Sequence, residues 1–137
     1  MTSDRILPVP DESSAPYWEA AARHVLTAAR CAHCGTLALP PDVVCTACGS
    51  TDPRLEFLPV SGRGTVRSWT VVRQSFLPGF EVPFVLVDVE LTEQKGLRVI
   101  GRLLGGVDAD LRLGADVRVA FEDVADGIVV PAWELAT

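Results

Sequence analysis

Hydrophobic positions change their period along this chain, and the change divides it. From Ala15 to Ala29, Tyr17, Trp18, Ala21, Ala22, Val25, Leu26 and Ala29 recur at helical spacing, with Ser14 placed to cap and Pro16 in the first turn. The pattern predicts one N-terminal helix, short and Ala-rich, that needs a surface to lie against, its own ribbon or a second protein. Beyond Pro59 the period falls to two. Thr65 to Arg73, Val82 to Leu91, Leu97 to Leu104, Ala115 to Phe121 and Ile128 to Trp133 read as five strands rich in β-branched and aromatic residues. In the second, Val85, Val87, Val89 and Leu91 share one face while Phe84, Leu86, Asp88 and Glu90 share the other, so one side lines a core. Gly62 and Gly64 open the first strand, Gly96 breaks a hairpin and Gly101 marks a bend or bulge. Such a set predicts a mainly β fold ending in a five-stranded Greek-key barrel of the OB type, and an SH3-like barrel fits the same composition.

Between helix and strands lie Cys31-x2-Cys34 and Cys45-x2-Cys48, each pair followed by glycine (Gly35, Gly49). Two such knuckles offer four soft thiolates to one tetrahedral cation and leave no position open for water, so the site is structural. Zinc is expected in a rubredoxin-like ribbon, and iron suits the same ligand set. Leu37-Ala38-Leu39 supplies the hairpin strand between the knuckles. The predicted organisation is a helical segment over 1–29, the zinc ribbon over 30–58 and the barrel over 59–137. His33 sits inside the first knuckle and reads as exposed, because four thiolates already complete the shell. The opening MTSDRILPVPDESS has neither a basic nor an apolar export region, so a disulfide framework is not expected and the chain reads as cytoplasmic.

No apolar run approaches the roughly 20 residues that cross a bilayer as a helix, so no membrane partner is expected. A net charge of −6 opposes non-specific attraction to a polyanion and disfavours a nucleic-acid role, although Trp69 or Phe84 could stack on bases. The total hides an asymmetry: Val60 to Gly105 holds six basic residues against four acidic, and Gly106 to Thr137 two against seven. Arg63, Arg67, Arg73 and Arg102 are therefore candidates for the phosphates of a nucleotide or an acyl-CoA, with solvated strand faces as the plainer reading. Gln74 to Pro83 carries Phe76, Leu77 and Phe80 around a Pro-Gly turn; it either folds over a barrel end or meets a partner. With Trp18, these three form the candidate docking set.

Catalysis has little to stand on. His24 and His33 are the only histidines, all four cysteines are committed, and no nucleophile elbow or phosphate loop is present. Asp88 and Glu90 form a carboxylate pair, but on an outward strand face where carboxylates normally sit.

The succession of a Trp-bearing helix, the two C-x2-C-G knuckles, Ser61-Gly62-Arg63-Gly64-Thr65-Val66, Trp69-Thr70-Val71-Val72, the Pro/Phe loop, Pro83 to Leu91 and Leu113-Gly114-x2-Val117 resembles the zinc-ribbon OB-fold family known as domain of unknown function thirty-five. The resemblance covers nearly the whole chain. It implies a non-catalytic accessory subunit for a thiolase-fold enzyme, such as an aldolase or thiolase acting on bulky acyl-CoA thioesters, among them steroid side-chain thioesters. It also implies metal ligation by Cys31, Cys34, Cys45 and Cys48, a CoA-binding surface on the barrel, and dependence on a partner in trans. A stand-alone acyl-CoA or nucleotide binding module is the alternative, and a single-stranded nucleic-acid binder the third reading.

Overall fold

In the computed structural model, which describes residues 5–76 and 78–136, the N-terminal helix α1 spans Ala15–Ala22. Ser14 precedes it without a side-chain cap; instead the Asp11 carboxylate accepts from the Ser14 amide and the Ser14 hydroxyl accepts from the Asp11 amide. The helix stops seven residues before the expected Ala29, because His24 takes a left-handed φ of 61° and Thr27–Arg30 form a strand, β1. Thr27, Ala28 and Ala29 are consecutive and all buried, which happens only when both faces of a strand are covered. Alanine's helical preference, a few tenths of a kcal/mol per residue, gives way to that packing.

β1 is the middle of a three-stranded antiparallel sheet, flanked by β2 (Leu37–Ala38) and β3 (Glu56–Pro59). The second sheet has five antiparallel strands: β4 (Arg63–Val72), β5 (Phe84–Leu91), β6 (Arg98–Arg102), β7 (Asp116–Ala125) and β8 (Ile128–Leu135), in the order β6-β5-β4-β7-β8. Its two edges meet where Leu103 pairs in parallel with Trp133 and the Leu104 amide donates to the Trp133 carbonyl at 2.7 Å. A five-stranded ring closed by a parallel contact between its third and fifth strands is the OB arrangement, which decides against the SH3-like alternative. β8 pairs with β7 along its length and so completes the barrel.

Val85, Val87, Val89 and Leu91 are all buried, as the alternation predicted, and they join Val66, Leu97, Leu103, Val117 and Trp133 in the core. Gly101 is required by close approach: a Cβ there would lie 2.9 Å from Trp133 Cδ1. Asp88 and Glu90 are structural, since Asp88 pairs with Arg98 at 2.7 Å and Glu90 accepts from the Gly96 amide at 2.8 Å.

Ribbon and barrel are joined by polar ties as well as by packing. The Val60 amide donates to Leu26 O at 2.9 Å. Gln94, in the β5–β6 turn, uses its side-chain amide as a substitute strand on the outer edge of β2. Its Oε1 accepts from the Leu37 amide at 2.9 Å and its Nε2 donates to Leu37 O at 2.7 Å. α1 lies against β8 and β1.

Candidate metal centre and interaction surface

The two knuckles repeat one hydrogen-bond pattern fourteen residues apart. Cys31 N–H donates to Thr36 O and Gly35 N–H to Cys31 O; Cys45 N–H donates to Ser50 O and Gly49 N–H to Cys45 O. Both turns pass through a left-handed glycine, with φ of 78° at Gly35 and at Gly49, as their place in the motif anticipates. The turns bring all four Sγ atoms within 4.8 Å of one another, with Cys31 to Cys48 at 3.9 Å and Cys34 to Cys45 at 3.6 Å.

Those separations fit a cation and not a disulfide. A disulfide needs about 2.05 Å between sulfurs. A tetrahedral zinc with bonds of about 2.3 Å sets its sulfurs about 3.8 Å apart. The donor set agrees: Cys34 is held at about 6, first by the Thr36 hydroxyl and then by the Thr36 amide. Cys48, although the Ser50 amide acts to lower it, is pushed up to about 11 by desolvation and the neighbouring thiols. Four sulfurs this close cannot all ionise by themselves, and a bound dication is what lets them. Cys31, Cys34, Cys45 and Cys48 would hold zinc, whose chemical contribution is to crosslink the ribbon. His33 is exposed, its Nε2 2.9 Å from Asp52 O.

The four nominated arginines do not converge. Arg63 opens the ten-residue β4 and Arg73 follows its last residue, Val72, about 30 Å away at the usual strand rise. Arg67 is the extra residue of a β-bulge between Val66 and Ser68. Arg63 lines a polar cavity of about 350 Å³ with Thr92, Asp116 and Arg118. Arg102 is half-buried and forks onto Glu122, which also takes Arg5 at 3.5 Å.

Of the docking candidates, Phe76 is 76% exposed, while Phe80 folds back to stack on Phe84 at 5.3 Å, beneath the Arg5 guanidinium at 4.7 Å. Leu77 lies outside the described residues. Trp18 is half-buried, meets Tyr17 edge-on at 5.0 Å, and lines an apolar groove of about 490 Å³. Leu39, Pro40 and Pro41 from the ribbon and Arg98, Val99 and Ile100 from β6 form its other walls. Sequence reasoning found Trp18 but missed this groove and Gln94, because each depends on which loops the fold brings together. The Leu39-Pro40-Pro41 run was the available signal: a rigid apolar turn with no N–H to offer at two positions.

Comparison with known proteins gives a consistent family. A family model described as the ChsH2 rubredoxin-like zinc ribbon domain matches residues 18–54, and one described as the ChsH2 C-terminal OB-fold domain matches residues 58–122. The chain is 35% identical over 127 residues to the 3-oxo-4,17-pregnadiene-20-carboxyl-CoA hydratase alpha subunit of Mycobacterium tuberculosis, covering 93% of this chain and 39% of that protein. It thus spans about two fifths of the curated hydratase alpha subunits it matches, 39% of each. It is 31% identical to a DUF35 domain-containing scaffold protein of Methanocaldococcus jannaschii, covering 82% of this chain and 81% of that one. Among solved structures, a chain of the Ltp2-ChsH2(DUF35) aldolase superposes with a TM-score of 0.82 at 32% identity, over 95% of this chain and 99% of that one. Ribbon, barrel and relatives together establish that this chain belongs to the DUF35 family of zinc-ribbon OB-fold proteins.

Proposed function

We propose that the chain is a non-catalytic accessory subunit that docks on a thiolase-fold aldolase or thiolase, stabilises it and shapes its channel for a bulky acyl-CoA thioester. The observation that carries this reading is the likeness, over nearly its full length, to a chain from an aldolase named for two components. The steroid-CoA name of one relative supports a polycyclic acyl group as the substrate class of the partner. Closure by four thiolates supports a structural role for the metal, and the zinc-ribbon description of the matching family model supports one zinc per chain rather than iron. The cytoplasm, where thiols stay reduced, suits such a centre.

Co-expression with a thiolase-fold aldolase from the same genome, followed by size-exclusion chromatography with light scattering and metal quantitation of each peak, tests the reading. Co-elution with about one zinc per copy and a rise in aldolase activity is expected. Separate elution with the enzyme's activity unchanged would refute it.

A further inference from the structure

β6 meets β8 at its C-terminal end, and its first residues, Arg98 to Ile100, line a groove instead. The Leu91 amide donates to Leu97 O and the Leu103 amide to Val85 O, both at 2.9 Å. Bonded pairs in an antiparallel ladder recur every second residue, so Val99 and Gly101 also direct their backbone groups to β5. Arg98 and Ile100 therefore turn their N–H and C=O groups the other way. β8 meets β6 toward the C-terminal end of β6, where Leu103 bridges Trp133. The comparable edge of β2 is blocked, because Gln94 pairs with both polar groups of Leu37.

That part of the edge faces the apolar groove. Arg98, Val99 and Ile100 are consecutive and all line it, whereas only alternate side chains can reach one face of a strand; the groove meets β6 edge-on. Opposite stand Tyr17, Trp18, Leu39, Pro40 and Pro41, and Ile100 is 69% exposed beside them.

We propose that this groove receives an extended apolar segment of the thiolase-fold partner, which adds to β6 as a further antiparallel strand and places a carboxylate beside Arg98. The inference rests on the accessory-subunit reading and specifies how that partner is held. Two donors and two acceptors in alternation, at Arg98 and Ile100, match a peptide backbone and no lipid or acyl chain. The walls supply seats for alternate aliphatic side chains. Arg98 uses Nη1 on Asp88 at 2.7 Å and keeps further N–H donors of its guanidinium for a second carboxylate. A second copy of this chain is a poorer occupant, because edge-to-edge pairing centred on Ile100 sets Arg98 of one copy against Arg102 of the other.

Residue-resolved amide hydrogen exchange on the complex with the co-expressed aldolase tests the inference, together with Ile100→Pro. Proline at 100 removes a donor that the β5 ladder does not use, so the barrel tolerates it while strand addition does not. Exchange at Arg98 and Ile100 is expected to slow at least tenfold on complex formation, with little change at Val99 and Gly101. I100P is expected to keep its zinc and its unfolding temperature within a few degrees, yet weaken the complex at least about tenfold. A complex that leaves the Arg98 and Ile100 amides unprotected would overturn the strand addition and leave the accessory role standing. So would an I100P complex as tight as wild type. Protection of Ile100 in the chain alone, in a dimer, would reassign the groove to self-association. Failure of the wild-type chain to bind the enzyme removes both readings.

Discussion

Replacing Gln94 by leucine should loosen the ribbon from the barrel without touching a core residue. The wild-type amide satisfies the Leu37 N–H at 2.9 Å and the Leu37 carbonyl at 2.7 Å, and all of these groups are half-buried. Each bond contributes about 1 kcal/mol net, and facing both Leu37 groups with a hydrocarbon adds part of their desolvation cost, so Gln94→Leu should cost about 2–3 kcal/mol. For a chain of this size that is a fall of about 6–10 °C in Tm. Calorimetry in excess zinc measures the loss, and hydrogen exchange at the Leu37 amide locates it. Gln94→Glu keeps the acceptor and loses the donor, and should recover the part owed to the Leu37 N–H. A Tm within about 2 °C of wild type for Gln94→Leu, with the Leu37 amide still protected, would refute the bridging role.

Three further outcomes follow from the geometry. Chelation, or Cys45→Ser, should abolish exchange protection over residues 31–55, since structural zinc contributes on the order of 10 kcal/mol to such modules; zinc should restore the chelated protein and magnesium should not. Gly101→Ala should cost about 1–3 kcal/mol by forcing a methyl against buried Trp133, read by denaturant unfolding. Tyr17 is the chain's one tyrosine, and desolvation pushes its phenol up to about 12, so phenolate absorbance should rise with a midpoint well above 10. Because the folded state keeps that proton to higher pH than the unfolded chain, the linked stability is complete below pH 10 and declines by up to about 3 kcal/mol as pH rises through 12. A midpoint near 10 would mean that the Tyr17 side of the groove is open to water.

The legible parts of the chain were those whose cause is local. The five barrel strands could be read because each is rich in β-branched and aromatic residues, with β5 alternating along its length, and the metal centre because thiolate spacing is itself a geometric constraint. β1 was read as helix, since Thr27-Ala28-Ala29 has no alternation: a strand covered on both faces has no polar side to show. β3 was missed for its brevity, four residues ending in Pro59. The arginines looked like a cluster because a sequence gives charge without direction. A bulge turns one of them, Glu122 engages another, and the length of β4 separates the rest. Phe76 and Phe80 sit four residues apart in one loop, yet only the first stays exposed, because Phe84 on the adjoining strand supplies a ring for the second.

Arg30 and Glu56 are directly paired across β1 and β3, and Cys31 follows Arg30 at once. Residues 31–55 therefore leave β1 and re-enter at β3 at neighbouring positions, with the short β2 (Leu37–Ala38) rejoining the sheet in between. Such a segment is an exchangeable cassette: its length, its metal and its surface can vary while the chain entering β4 keeps the same position and direction. The cassette's ties to the rest of the chain are concentrated at β2, where Leu37 meets the amide of Gln94 and Leu37 and Leu39 pack against the core, so a replacement that keeps β2 keeps those ties. Knuckles of different size could thus be fitted to one barrel, changing what the ribbon presents to a neighbour without re-registering any strand of the core.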